Sequence, residues 1–233
     1  MKKKKTIIVE FNGLAGLGKT TVANIVKDEL CKDGYKVIGW YRHSVLHSLR
    51  PMFAIPYSFG LYRKVKKYAD SIVPYRKDRK YSHWTNHFVR MYKSIDKYSD
   101  ADFAISDEGI IQFFVAMGLN DRFLQSDLLD AVVEKIKSMG ISFIRVDCEN
   151  HVQASFDRIK SRPPKGMYYE NWSQEELMSQ LQAEAYNFEC LRATFSRIYP
   201  NQKVISINTL DSPEENARKI KAIITKIEEY DSL

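Results

Sequence analysis

Eight residues, Gly13-Leu14-Ala15-Gly16-Leu17-Gly18-Lys19-Thr20, constrain this chain more than any other stretch. They match G-x-x-x-x-G-K-[ST] at every fixed position. With glycine at roughly 7% of residues, such a set arises by chance in about one chain in a hundred of this length. The surroundings fit as well. Thr6 to Phe11 reads as a short buried strand that Asn12 and Gly13 break. Lys19 to Lys32 carries Val22, Ile25, Val26 and Leu30 at helical spacing, with Gly34 as a stop. A strand, a glycine loop and a helix in that order make a phosphate cradle: glycines permit positive φ and a close approach of N–H groups, and the helix N-terminus adds partial positive charge. Gly13, Leu14, Ala15, Gly16, Leu17, Gly18, Lys19, Thr20 and Thr21 are therefore the expected ATP-binding residues. Lys19 is expected to reach the β- and γ-phosphates, and the Thr20 hydroxyl to ligate Mg2+.

Such a loop supplies the metal with only a hydroxyl, so a carboxylate is needed at the end of a neighbouring strand. Phe103-Ala104-Ile105-Ser106-Asp107 has that form, which makes Asp107 the expected second metal holder and a catalytic residue. Glu108 follows it and is expected to face the phosphoryl acceptor; an Asp-Glu pair would also cap the helix that begins near Ile110.

The rest of the chain alternates in the same way. Lys36 to Trp40, Asp102 to Ser106, Ile141 to Val146 (closed by Asp147) and Val204 to Ile207 read as further strands. Helices are expected over Ile110 to Met117, Ser126 to Met139, His151 to Ser161 and Pro213 to Tyr230, with helical patches near Phe59 to Ala69 and Ser82 to Tyr98. A long helix over Ser173 to Ile198 opens with Ser173 as N-cap and Glu176 three residues on, a capping box. Short β-branched strands alternating with helices imply a parallel sheet covered on both faces. No repeat or low-complexity linker divides the 233 residues, so they are read as one domain, 1–233.

Composition excludes several classes. With 44% hydrophobic and 28% charged residues the chain is an ordinary globular one and not a disordered tail. Its longest apolar runs, such as Phe113 to Met117, fall far short of the roughly 18 to 20 residues a membrane span needs. Cys31, Cys148 and Cys190 are odd in number and widely spaced, which points to a reducing compartment; the cytoplasm is expected.

The net charge of +7 is regional. Residues 40–98 hold 13 basic against 3 acidic residues, and 13 of the 29 aromatics. A cationic, aromatic-rich segment suits an anionic, planar partner, because basic groups attract phosphate and rings stack on bases. A solvated basic face over an aromatic core would give the same composition. His43/His47 and His83/His87 sit four apart, but neither pair has the Glu of H-E-x-x-H or a third ligand, so they read as ordinary imidazoles. His43 follows the second strand and stays a candidate base.

Arg158 and Arg162 lie four apart in a helix that Pro163-Pro164 stops, after the strand whose end faces the ligand crevice. Arginines there can neutralise a transferring phosphoryl group, so both are expected to be catalytic, with Lys165 as a helper.

Taken in order, these motifs resemble the thymidylate kinase-like group of P-loop kinases, which also contains deoxynucleoside and nucleoside monophosphate kinases. FNGLAGLGKTT is similar to that group's GxxGxGKTT opening, HFVRMY and FAISDEG to its substrate-side arginine and third-strand motif, DRIKSR to its RxxxR lid, and VISINTLDSPEEN to its last strand and adenine-covering loop. The resemblance spans residues 6–229. It implies a three-layer α/β/α P-loop NTPase fold with a five-stranded parallel sheet of order 2-3-1-4-5, a lid around 158–172, and phosphoryl transfer from ATP with Mg2+. It also implies that Arg90 contacts the acceptor, that Arg158 and Arg162 are lid arginines, and that Thr209 to Ser212 lie near adenine.

Two departures bear on the acceptor. Where the group has an arginine after the third-strand acid, this chain has Glu108, and after the second strand it has Tyr41-Arg42-His43-Ser44. Arg42, His43, Arg90 and Glu108 are the expected substrate-binding set, and residues 40–98 the acceptor side. That charge favours a small anionic acceptor. Two other readings stay open, a P-loop ATPase or nucleotide-binding regulator and a nucleic-acid end-processing kinase. Oligomeric state is open too, a homodimer being one option.

Overall fold

The computed structural model describes residues 6–39, 101–107, 109–116, 142–163 and 171–231, together with Asp130 and Glu134. Five strands alternate with helices: β1 (Ile7–Asn12), α1 (Lys19–Lys32), β2 (Val37–Gly39), β3 (Phe103–Ser106), α2 (Ile110–Ala116), β4 (Ser142–Cys148), α3 (Val152–Lys160), α4 (Gln174–Ile198), β5 (Lys203–Ile207) and α5 (Pro213–Asp231). All strand pairs are parallel, in the order β2-β3-β1-β4-β5. This is the expected fold. Within the helix expected over 126–139, Asp130 and Glu134 are described and helical. The patches at 59–69 and 82–98 lie outside the described residues.

Alternation along the strands divides the sheet into two unlike faces. Ile7, Val9 and Phe11 of β1 join Ile144, Val146 and Cys148 of β4 against Val22, Val26 and Leu30 of α1 and Ile220, Ile224 and Ile227 of α5. That face is a dry apolar core, each large side chain contributing about 1.5–3 kcal/mol on burial. On the other face α2 and α4 pack together, with α3 against α4. There the apolar contribution comes from aromatics, including Phe143 stacked at a tilt on Phe195 at 6.2 Å, and the fully buried Phe114 and Phe188.

Between those aromatics the second face is polar. Glu10 and Asn12 are fully buried, and Arg145, Asp147, Glu184 and Arg192 nearly so. Two expectations change here. Asn12 does not break β1, and Asp147 does not close β4: both are paired strand residues, in register with each other. Their polar side chains are tolerated because they meet across the strands, Asn12 Nδ2 donating to Asp147 Oδ1 at 2.8 Å, and because α4 brings Arg192 onto both.

The α4 N-terminus follows the sequence signature. Ser173 Oγ accepts from the Glu176 N–H at 3.1 Å, and Glu176 Oε2 accepts from the Ser173 N–H at 2.7 Å. Among the described residues no helix is long and apolar enough to cross a membrane.

Candidate active site

The glycine loop leaves β1 at Gly13 and enters α1 through Gly18, the helix N-cap. Gly16 and Gly18 have φ of 83° and 84°, a region that side-chain-bearing residues rarely adopt. At Gly16 space is also short: a Cβ there would lie 3.0 Å from the Ser155 carbonyl oxygen and 3.2 Å from Ile159 Cγ1. The loop therefore lies directly on α3, and the Ser155 hydroxyl donates to the Ala15 carbonyl at 2.5 Å.

Lys19, the first residue of α1, is 9% exposed. Its ammonium folds back over the loop and donates to the carbonyls of Gly13 and Leu14 at 2.7 and 2.8 Å. These bonds hold a buried cation where arriving phosphates would compete for it. Thr20 stands exposed one residue on, and its hydroxyl donates to Asp107 Oδ2 at 2.5 Å. Asp107 is the residue after β3, and β3 pairs with β1, so sheet topology alone carries this carboxylate to the start of α1.

Hydroxyl and carboxylate oxygens form the hard donor set that Mg2+ takes, with water and substrate phosphate completing the shell. The pair fits such an ion. Among the described residues there is no cluster of three or more His, Cys, Asp or Glu side chains, which an ion held partly by phosphate does not need. A cleft of about 350 Å³ opens beside the pair, lined by Thr20, Asn24, Lys27, Gly39, Ser106 and Asp107 among others.

Behind the loop, α3 and the β5–α5 connection form the opposite wall. Arg158 Nη2 donates to the Thr209 carbonyl at 3.1 Å, and Thr209 Oγ1 donates to the Glu149 carbonyl at 3.2 Å. Asn216 Nδ2 donates to the Asn208 carbonyl at 2.8 Å, and the His151 ring nitrogen Nε2 lies 3.1 Å from Asn208 Oδ1. Arg158 thus joins the region expected to carry the lid to the loop expected near adenine.

Arg162 is placed differently from the sequence reading. Helix α3 ends at Lys160, and Arg162 lies beyond its C-cap, exposed. Pro163 explains this, since a proline disfavours helical backbone in the residue before it. The two arginines are therefore not on one helical face. Arg42, His43, Arg90 and Glu108, both histidine pairs, and residues 164–170 of the lid region lie outside the described residues.

Sequence reasoning missed the polar network under α4. Arg145 Nε lies 2.8 Å from Asp147 Oδ1, and its Nη2 donates to Ser196 Oγ at 3.2 Å. Arg192 donates to Asn12 Oδ1, to the Asn12 carbonyl and to the Cys148 carbonyl at 2.9, 3.1 and 2.8 Å. Burial and a nearby Asp147 charge matter for Cys148 too: its thiol is pushed up to about 11, mainly by desolvation, against the opposing influence of Lys19 and Arg192. A signal for the network was present in the polar residues two apart within apolar strands, Glu10/Asn12 and Arg145/Asp147.

No protein-family model matches the chain, and no curated protein matches it in sequence. Solved structures do match. Deoxyadenosine kinase from M. mycoides with bound dATP aligns with a TM-score of 0.51 at 14% identity, over 94% of this chain and 99% of that one. The same enzyme with bound dCTP gives 0.48 at 16% identity, and with dCMP and dCDP 0.49 at 15%, over the same shares. At such identities the likeness speaks for architecture. With its glycine loop and its sheet of order 2-3-1-4-5, the chain has the P-loop α/β fold of deoxyadenosine kinase.

Proposed function

We propose that this chain is an ATP-dependent kinase that transfers a phosphoryl group to a nucleoside or nucleotide. The observation that carries this is the convergence of Lys19, Thr20 and Asp107 at the C-terminal ends of β1 and β3. An ammonium that can exchange loop carbonyls for phosphate oxygens neutralises charge on the transferring group. Thr20 and Asp107 would hold Mg2+, which supplies further neutralisation of the phosphates. Arg158 and Arg162 are read as lid arginines closing over the same group. The chain is read as one catalytic unit of the thymidylate kinase-like type, with residues 40–98 on the acceptor side and a lid around 158–172. Its three cysteines are free thiols, which supports a reducing, cytoplasmic setting.

The shared fold with a deoxyadenosine kinase supports a nucleoside-class acceptor. A second reading is favoured by charge: 13 basic against 3 acidic residues over 40–98, with Arg42 and Arg90 among them, suit an acceptor that already carries phosphate, whereas His43 and Glu108 are the base candidates for an unphosphorylated hydroxyl.

Both are tested by measuring ADP release from MgATP with deoxynucleosides, nucleoside monophosphates, neutral sugars and DNA oligonucleotides as acceptors. Turnover confined to nucleosides or their monophosphates is expected, and which of the two wins decides between the readings. ADP release independent of any acceptor would make the chain an ATPase, and phosphorylated DNA ends would make it an end-processing kinase. Either result would overturn the proposal.

A further inference from the structure

Helix α4 contributes nothing to the loop motif, yet it grips the loop at its root. Asn12 and Cys148 are the last residues of β1 and β4, where the ladder of the parallel sheet ends and carbonyls need other donors. Arg192 Nη2 supplies both, at 3.1 and 2.8 Å, while Nε binds the Asn12 side chain at 2.9 Å. The guanidinium serves as one more rung joining the two strands, something its planar fork of donors allows and a lysine ammonium does not reproduce. It is 8% exposed, lies over the Phe188 ring at 5.5 Å, and is held from outside by Glu189 Oε1 at 2.9 Å.

A second arm runs from the same carboxylate. Glu189 Oε1 also accepts from Asn150 Nδ2 at 3.1 Å, and Asn150 Oδ1 accepts from the Leu14 N–H at a long 3.4 Å. The arms bracket Gly13, the first residue of the loop. A Cβ on Gly13 would lie 2.8 Å from Cys148 Cβ, so the loop leaves β1 pressed against the strand that Arg192 ties to it.

We propose that Arg192 is a positioning residue for phosphate binding, which sets the direction in which the glycine loop leaves β1, with Glu189 and Asn150 as its outer arm. The proposal rests on the reading of the loop as an ATP site. It acts through the backbone of Asn12 and Leu14 and touches no reacting atom. Correct placement of N–H donors is worth much of a phosphate site's affinity, and a shift of a few tenths of an ångström at the root displaces every donor beyond it.

The test measures the dissociation constant of MgADP calorimetrically, alongside the melting temperature without nucleotide, for the full chain and for Arg192→Lys, Glu189→Gln, Asn150→Ala and Lys19→Ala. Arg192→Lys is expected to weaken MgADP binding about tenfold, and Asn150→Ala and Glu189→Gln a few-fold each, typical of one to two hydrogen bonds. The two outer-arm variants should fall short of additivity when combined, because they break one path. Both lie on the surface side of the network and keep the melting temperature near that of the native chain, which separates positioning from folding. If the native chain binds MgADP and Lys19→Ala does not, while folded Arg192→Lys and Asn150→Ala bind as tightly as the native chain, the positioning role is overturned and the ATP site stands. If the native chain fails to bind MgADP, the ATP reading fails and the positioning role falls with it.

Discussion

The Thr20 hydroxyl donates to the Asp107 carboxylate, joining the first turn of α1 to the end of β3 across 87 residues of sequence. Neither partner is buried, so the contact is no part of the core, and its hydroxyl and carboxylate oxygens are of the type that Mg2+ takes. Asp107→Asn keeps the size and the hydrogen bond but removes the charge. The Mg2+ concentration for half-maximal turnover is expected to rise about tenfold or more, the loss of one charge-assisted contact. A magnesium titration with unchanged midpoint would remove Asp107 from the metal site.

Lys19 has a structural duty beside the phosphate role proposed for it, because the bonds to Gly13 and Leu14 give its ammonium a place in the folded loop. Lys19→Ala is expected to cut turnover by about 10² to 10³, the usual cost of removing one preorganised charge-stabilising donor. It should also lower stability by about 1–2 kcal/mol through the two lost bonds. Denaturant unfolding and steady-state kinetics on one preparation check both; unaltered turnover would discard the phosphate role.

Gly109 lies against a buried carboxylate. A Cβ there would fall 1.8 Å from Glu10 Cδ, and Glu10 has nowhere to move, being fully buried with Oε1 accepting from the Ile111 N–H at 2.8 Å. Gly109→Ala is expected to cost about 1–3 kcal/mol, the range for overpacked interiors. In a Glu10→Ala background the same change should cost almost nothing. Equal costs in the two backgrounds would show that this contact is not the cause.

The Cys148 thiol gives stability a defined dependence on alkaline pH. Its folded value of about 11 exceeds the ordinary 9.0, so the unfolded chain loses that proton first, and stability falls as pH rises between those values. Two units correspond to about 3 kcal/mol. Cys148→Ala lacks this loss, so its stability relative to the native chain should improve by about 2 kcal/mol from pH 9 to pH 11, the rest of the change falling outside those two midpoints. A difference that stays constant over the range would refute the assignment.

Local patterns made much of the architecture legible. The G-x-x-x-x-G-K-T run, the β-branched strands and the Ser173/Glu176 box place the described elements within two residues at each end. Strand order came from family resemblance and not from periodicity. The place of Asp107 was visible because a carboxylate directly after a strand that neighbours β1 lies beside the start of α1. Arg192 was not, since Asn12 and Cys148 lie 180 and 44 residues away and nothing local marks a helix arginine as bound to strand-end carbonyls. Asn12 and Asp147 were misread because single polar residues at the ends of apolar runs look like terminators. The error at Arg162 has a simpler origin: the constraint that Pro163 places on its predecessor ends the helix early.

The two faces of the sheet carry different tolerances for change. Against α1 and α5, Ile, Val and Leu can exchange at modest cost so long as volume is kept. Against α4, Asn12, Arg145, Asp147 and Arg192 satisfy one another, and any one replaced alone leaves a buried partner without its bond. In a saturation-mutagenesis library the strands should therefore read as alternating permissive and intolerant positions. Variants that survive on the intolerant side should come in sets, altered at several network positions at once.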